Sequence, residues 1–183
     1  MAEPTLLLMS GSLRTGSYNR MLLAEAATAF GAARVVNADL DLPLYNGDLE
    51  EAQGIPDKVK VLGDQIRDTD AMIISTPEYN KGISGVLKNA LDWLSRSAMG
   101  HFRDKPTVLM SATAGRTGGE TALYMTTACL GAFQVRIVSG PPVMVAGAQG
   151  QFDDNGKLVQ DSYRDALTTR MAGLRALVEA TAH

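Results

Sequence analysis

Ser10-Gly11-Ser12-Leu13-Arg14-Thr15-Gly16-Ser17-Tyr18-Asn19 lies between the apolar run Leu6-Leu7-Leu8-Met9 and an apolar-periodic segment, Met21 to Phe30. A strand that feeds a short loop of hydroxyls, glycines, an amide and an arginine, which then opens a helix, is suited to holding a phosphate. The helix start presents unpaired backbone N–H groups and the positive end of its dipole. Small residues let the backbone approach the anion, while Ser, Thr and Asn side chains fill its remaining acceptor sites. The loop has neither G-x-G-x-x-G nor G-K-[ST], which weakens dinucleotide-first and NTPase readings. A monophosphate site on an α/β sheet remains.

Outward from this loop, apolar runs alternate with helical patterns along the whole chain. Strands are predicted at Thr5–Ser10, Arg34–Ala38, Ala71–Thr76, Thr107–Ala112 and Val135–Val138, with a continuation at Val143–Val145. Helical spacing joins Leu22, Ala26 and Phe30; Val59, Leu62 and Ile66 after Pro56; Leu87, Leu91 and Leu94; and Leu167, Met171, Leu174 and Val178. A further short helix, rich in Thr and Ala, falls between Gly118 and Gly131. This alternation marks βαβ units and a parallel sheet covered on both faces. The expected fold is an α/β doubly wound three-layer sandwich with a five-stranded parallel sheet in the order 2-1-3-4-5. Its ligand crevice lies at the carboxyl ends of strands one and three. Gly147–Gly156 is turn-rich and reads as a surface loop.

Two further loops close strands at that end. In Thr76-Pro77-Glu78-Tyr79-Asn80-Lys81-Gly82, Pro77 ends the strand, and Tyr79 and Asn80 set a flat aromatic face beside an amide. That pairing suits a planar heterocycle such as a flavin ring; a solvent-exposed turn is the alternative. Ser111-Ala112-Thr113-Ala114-Gly115-Arg116-Thr117-Gly118-Gly119-Glu120 ends the fourth strand with small residues. A ring lying flat on backbone needs such smallness, and an ordinary βα turn uses it too.

Composition narrows the classes. With 183 residues, 45% of them hydrophobic and 20% charged, the chain is long enough to bury about 70% of its unfolded surface, and residues 1–183 are expected to form one domain. A net charge of −3 without a Lys/Arg cluster argues against a nucleic-acid partner. Cys129 is the only cysteine, which excludes an intrachain disulfide. The two histidines, His101 and His183, offer neither ligand spacing nor a nucleophile triad, and no metal is expected. Met1-Ala2-Glu3-Pro4 lacks a basic leader, and no apolar run approaches about 18 residues. A cytoplasmic chain without membrane insertion follows as the expectation.

Gly11-Ser12-Leu13-Arg14 with Ser17 and Asn19, then Pro77-Glu78-Tyr79-Asn80 and Leu87-Lys88-Asn89-Ala90-Leu91-Asp92-Trp93, resembles the NADPH-dependent FMN reductase family. The likeness runs from Thr5 to about Val145. It implies a flavodoxin-like fold, bound FMN, NADH or NADPH as hydride donor, and small-molecule electron acceptors: quinones, flavins, chromate, ferric chelates or azo compounds. By the resemblance, Ser12, Arg14, Ser17 and Asn19 hold the FMN phosphate, with Ser10 and Tyr18 in the same loop also placed against the cofactor. Pro77, Glu78, Tyr79 and Asn80 meet the isoalloxazine and ribityl chain. Ser111, Ala114 and Gly115 line the pyrimidine side of the ring. The resemblance also implies a homodimer with the flavin near the interface.

Trp93 is then either core or interface. Arg96 is the candidate catalytic residue, and Arg96 and Arg116 are candidates to stabilise negative charge on the reduced ring. A flavodoxin-type FMN electron carrier without nicotinamide activity is the alternative. Carriers tend to be strongly acidic, and −3 is mild.

Overall fold

Successive residues of a strand point to opposite faces, so a strand whose run is wholly apolar must lie between two layers. The structure, a computed structural model, describes residues 3–181; Met1, Ala2, Ala182 and His183 lie outside the described residues. Strand β1 (Thr5–Ser10) sends Leu6 and Leu8 into one core and Leu7 and Met9 into the other. The first core is closed by α1 (Tyr18–Phe30) and α6 (Asp161–Thr181), through Leu22, Phe30, Leu167, Met171 and Leu174. The second is closed by α3 (Asp57–Arg67) and α4 (Gly85–Ser97), through Leu62, Ile66, Leu87, Leu91 and Leu94.

The remaining strands of the sheet are β2 (Arg34–Asn37), β3 (Ala71–Ser75), β6 (Pro106–Ala112), β7 (Arg136–Ile137) and β8 (Met144–Val145). They pair in the order β2-β1-β3-β6-β7, all parallel, with β8 also on β6. The expected flavodoxin-like order is therefore present, with its fifth strand in two pieces. β7 pairs with Pro106 and Thr107, while β8 pairs with Ser111 and Ala112. Between them Pro141 and Pro142 have no N–H to donate, and Gly140 takes φ +149°, so the ladder breaks.

Local chemistry sets the helix starts. Ser17 caps α1, accepting from the Asn19 N–H at 3.2 Å, and this draws the helix back to Tyr18 from the Met21 suggested by periodicity. Ser84 caps α4 in the same way at 3.2 Å. One helix and two short strands were not predicted. Helix α2 (Gly47–Gln53) is capped by Asn46 and stopped by Gly54, but buries nothing, so no apolar period announces it. Strands β4 (Glu78–Tyr79) and β5 (Gly82–Ile83) form a hairpin whose turn puts Asn80 at φ +50° and Lys81 at φ +63°. Two left-handed central residues make a two-residue turn of the kind that matches strand twist.

Trp93 is fully buried within the chain: its Nε1–H donates to the Pro43 carbonyl at 2.8 Å, and Tyr45 meets it edge-on at 5.0 Å. Gly147–Gly156 is more than a surface loop. Ala148 is buried, and Phe152 stacks on Tyr18 at 5.7 Å. His101 sits against α3, its Nδ1 2.9 Å from the Gly63 carbonyl oxygen. Among the described residues no helix is long and apolar enough to cross a membrane.

Gly119, at φ +90°, leads into α5 (Glu120–Gly131); a Cβ there would lie 1.9 Å from Ser111 Oγ on β6. Gly119→Ala combines left-handed strain with overpacking against a strand, and is expected to cost about 2–4 kcal/mol. Urea unfolding should show the midpoint fall at constant slope. Lys81→Gly relieves left-handed strain at an exposed turn, and the same assay should show a gain of about 0.5–1 kcal/mol.

Candidate functional site

The loops after β1, β3 and β6 converge on one cleft of about 590 Å3 at the carboxyl ends of those strands. The first loop enters through Ser12, Arg14 and Ser17, followed by Tyr18 and Asn19 of α1. Gly11 carries no side chain because none fits: a Cβ there would lie 2.5 Å from Thr76 Oγ1 and 2.8 Å from Ser84 Oγ. Its N–H donates to the Ser75 carbonyl at 2.8 Å, which seats the loop over β3. From Leu13 to Gly16 the backbone N–H groups have no acceptor among the described residues. A run of free donors ahead of a capped helix start is an anion cradle.

Asn19 is 3% exposed and ties three elements together. Its Oδ1 accepts from the Ser75 hydroxyl at 2.8 Å and the Ala112 N–H at 3.0 Å, and its Nδ2 donates to the Ala112 carbonyl at 2.8 Å. The side chain expected to meet a phosphate is thus largely committed to holding the cleft's walls together. Ser10 differs from expectation too: it is absent from the cleft lining, and its hydroxyl bonds the backbone of Ser12, donating to the carbonyl at 3.0 Å and accepting from the N–H at 3.2 Å. Tyr18 lines the cleft with its ring stacked on Phe152.

The second loop brings Pro77, Glu78, Tyr79 and Asn80 to the cleft, joined by Lys81. Tyr79 is half exposed. The Glu78 carboxylate serves the fold itself. Its Oε2 accepts from the N–H groups of Thr121 at 3.0 Å and Ala122 at 3.3 Å. It caps α5 from outside that helix, because Gly119 at the capping position has no side chain to do so. Lys81 Nζ stands 3.6 Å from Glu78 Oε1.

The third loop lines the cleft from Ala112 to Thr117, which puts Ala114 and Gly115 on its wall. Ala112, Thr113 and Thr117 were not singled out from sequence; the only signal was their place in a run of small residues. Ser111 lies beneath this wall. It is fully buried, its hydroxyl has no partner, and it fills the space beside Gly119. Among the described residues Arg14 and Arg116 form no ion pair, and Glu78 is the only carboxylate on the lining. The cleft therefore carries positive charge on a chain that is acidic overall.

Arg96 is not on the lining. Its Nε donates to both oxygens of Glu50, at 3.1 and 3.0 Å, and Tyr45 donates to the same carboxylate at 3.0 Å. That carboxylate raises the pKa of the Tyr45 phenol and of the Arg96 guanidinium by favouring their protonated forms.

These features fit a phosphorylated flavin. Free backbone donors and Arg14 are groups that could hold a phosphate, Tyr79 offers an aromatic face, and Ala112 to Gly115 form a wall of small residues. The family model for NADPH-dependent FMN reductases matches residues 4–150. The NAD(P)H-dependent FMN reductase of Pseudomonas aeruginosa is 40% identical over 172 residues, covering 93% of this chain and 92% of the relative. A quinone reductase of Escherichia coli is 32% identical over 173 residues, covering 92% of each. FerB, a flavoenzyme NAD(P)H:(acceptor) oxidoreductase from Paracoccus denitrificans, superposes with a TM-score of 0.82 at 26% identity, over 97% of this chain and 98% of its own. A cleft of this construction and matches spanning nearly the whole chain lead to one assignment: the chain belongs to the NADPH-dependent FMN reductase family.

Proposed function

We propose that this chain is an FMN-dependent NAD(P)H:acceptor oxidoreductase that acts on flat, small-molecule acceptors, with quinones foremost. The observation that carries the reading is the charge state of the cleft: among the described residues Arg14 and Arg116 are unpaired and the one carboxylate on the lining is committed to a helix cap. The chemistry a bound FMN would supply is acceptance of a hydride from NAD(P)H and delivery of reducing equivalents to an acceptor in the place the nicotinamide has left.

The chain's own residues bind and orient. Ser12, Arg14, Ser17 and the free N–H groups before α1 would hold the phosphate. Pro77, Tyr79 and Asn80 would meet one side of the ring and ribityl chain, and Ala112 to Gly115 the other. Asn19 keeps these walls at a fixed separation. Glu78 holds α5, and through it the far end of the third loop. Arg116 would stabilise negative charge that develops on the ring. The finer parts of the proposal are that residues 1–183 act as one cytoplasmic domain, that chromate and related oxidants are also reduced, and that two copies pair. The exposed side chains of Leu13, in the first cleft loop, and Tyr79, on the cleft lining, support pairing on the cleft side. In such a pair Arg96 would serve the partner's cleft.

Three results are expected. The purified protein should show a flavin spectrum that bleaches on anaerobic addition of NADH or NADPH and returns when a quinone is added; a colourless protein that takes up no FMN would overturn the reading. Arg14→Ala should weaken FMN about tenfold or more and riboflavin less than about threefold, because only the phosphate loses its charged partner. Glu78→Ala should cost about 1–2 kcal/mol in urea unfolding and Glu78→Gln about half as much, since the amide oxygen still accepts while the charge at the helix start is lost.

A further inference from the structure

A second cavity, of about 350 Å3, opens where the fifth strand is interrupted. Thr117 lines the cleft and Glu120 lines this second cavity, so the two lie on either side of Gly118-Gly119. Its walls are mostly apolar: Leu109 of β6, Leu123 of α5, Ile137 of β7, Met144 of β8, and Pro142 from the break between the two short strands. Glu120, Tyr124 and Thr127 of α5 complete them. Its size is at the lower end for ligand cavities, about 300–1,000 Å3.

One cation enters this notch, Arg170 of α6. Gly140 makes room for it: a Cβ there would lie 3.2 Å from Arg170 Cδ and 3.4 Å from Nη1. Arg170 Nη1 donates to the Gly140 carbonyl, while Nε is buried without an acceptor. Burial lowers the guanidinium pKa, and no acidic neighbour offsets it. Glu120 lies on the same lining but does not pair with Arg170. A half-buried guanidinium among mostly apolar walls is costly without a counter-charge.

We infer that this notch is a binding site for a small hydrophobic monocarboxylate, whose acid group meets Arg170 and whose apolar body fills the space between α5 and the broken strand. Nη2 and the second Nη1 hydrogen remain to hold the acid. With Glu120 on the same lining, a second negative charge on the ligand would be repelled, so one acid group is what Arg170 can hold. The inference does not rest on flavin chemistry, because binding is read without turnover; its failure and that of the redox reading are separate results.

The probes are benzoate and its neutral isostere benzamide, titrated into the FMN-loaded protein and followed by amide NMR shifts. Benzoate should saturably shift the amides of Leu123, Tyr124 and Met144, and benzamide should bind at least about tenfold more weakly. Arg170→Met keeps the side chain's length and should weaken benzoate about tenfold or more, with the melting temperature unchanged or raised. Thr127→Phe, at the rim of the notch on α5, should weaken benzoate through bulk alone, which keeps the inference testable if the arginine variant does not fold. Equal affinity for both probes, shifts confined to the cleft, or benzoate affinity unmoved by Arg170→Met would each overturn it. An Arg170→Met protein of altered oligomeric size, without benzoate binding by the parent, would also overturn it by assigning the notch to a second copy.

Discussion

The amide of Asn19 joins positions 19, 75 and 112, which the sequence separates by more than thirty residues at each step and the fold brings to one point. Three hydrogen bonds converge on a side chain almost closed to water, where an unmet donor or acceptor would cost about 1–3 kcal/mol. The loops after β1, β3 and β6 inherit their mutual spacing from this contact. Aspartate would keep two of the bonds and set an oxygen against the Ala112 carbonyl, so the requirement is for an amide and not merely for a small polar group. A cleft that must accept a rigid ring and its phosphate together has its three walls pinned at the root.

Charge in the cleft follows from how its one acid is used. With Gly119 required by the close approach to Ser111, α5 begins without a capping side chain, and Glu78 reaches over from the hairpin to supply one. Steric closeness in one place thus sets the direction of a carboxylate in another, turning it towards the start of α5. Farther off, Glu50 of α2 pairs with Arg96 and accepts from Tyr45, which keeps that guanidinium off the cleft lining. What is left facing the ligand is Arg14, Arg116 and a lysine turned towards Glu78.

The three-layer architecture was legible because β1, β3 and β6 are each built around an apolar run and the helices beside them repeat apolar residues at helical spacing. Ser12, Arg14, Ser17, Tyr18, Pro77, Glu78, Tyr79, Asn80, Ala114 and Gly115, named from loop chemistry together with the family resemblance, all lie on the cleft lining. What escaped depends on partners distant in sequence. No local pattern reveals that Asn19 is tied to Ala112, that Glu78 caps a helix forty residues on, or that Arg96 finds Glu50 instead of the cleft. Helix α2 escaped for a different reason: it buries no side chain, and its Asn46 start and Gly54 stop are the only signals it has. Ser10 was misplaced because a hydroxyl in a loop can satisfy the loop itself as readily as a ligand.

The family match stops at residue 150, yet Phe152 packs on Tyr18 and α6 contributes Leu167, Met171, Leu174 and Val178 to the core beneath β1 and β6. A fragment cut at the boundary of shared sequence would keep α1 over this core but lose α6, uncovering apolar side chains of β6 and α1 that the last helix closes. Such a surface promotes aggregation. The portable unit for fusion or expression is accordingly longer than the recognisable signature, and has to include the last helix.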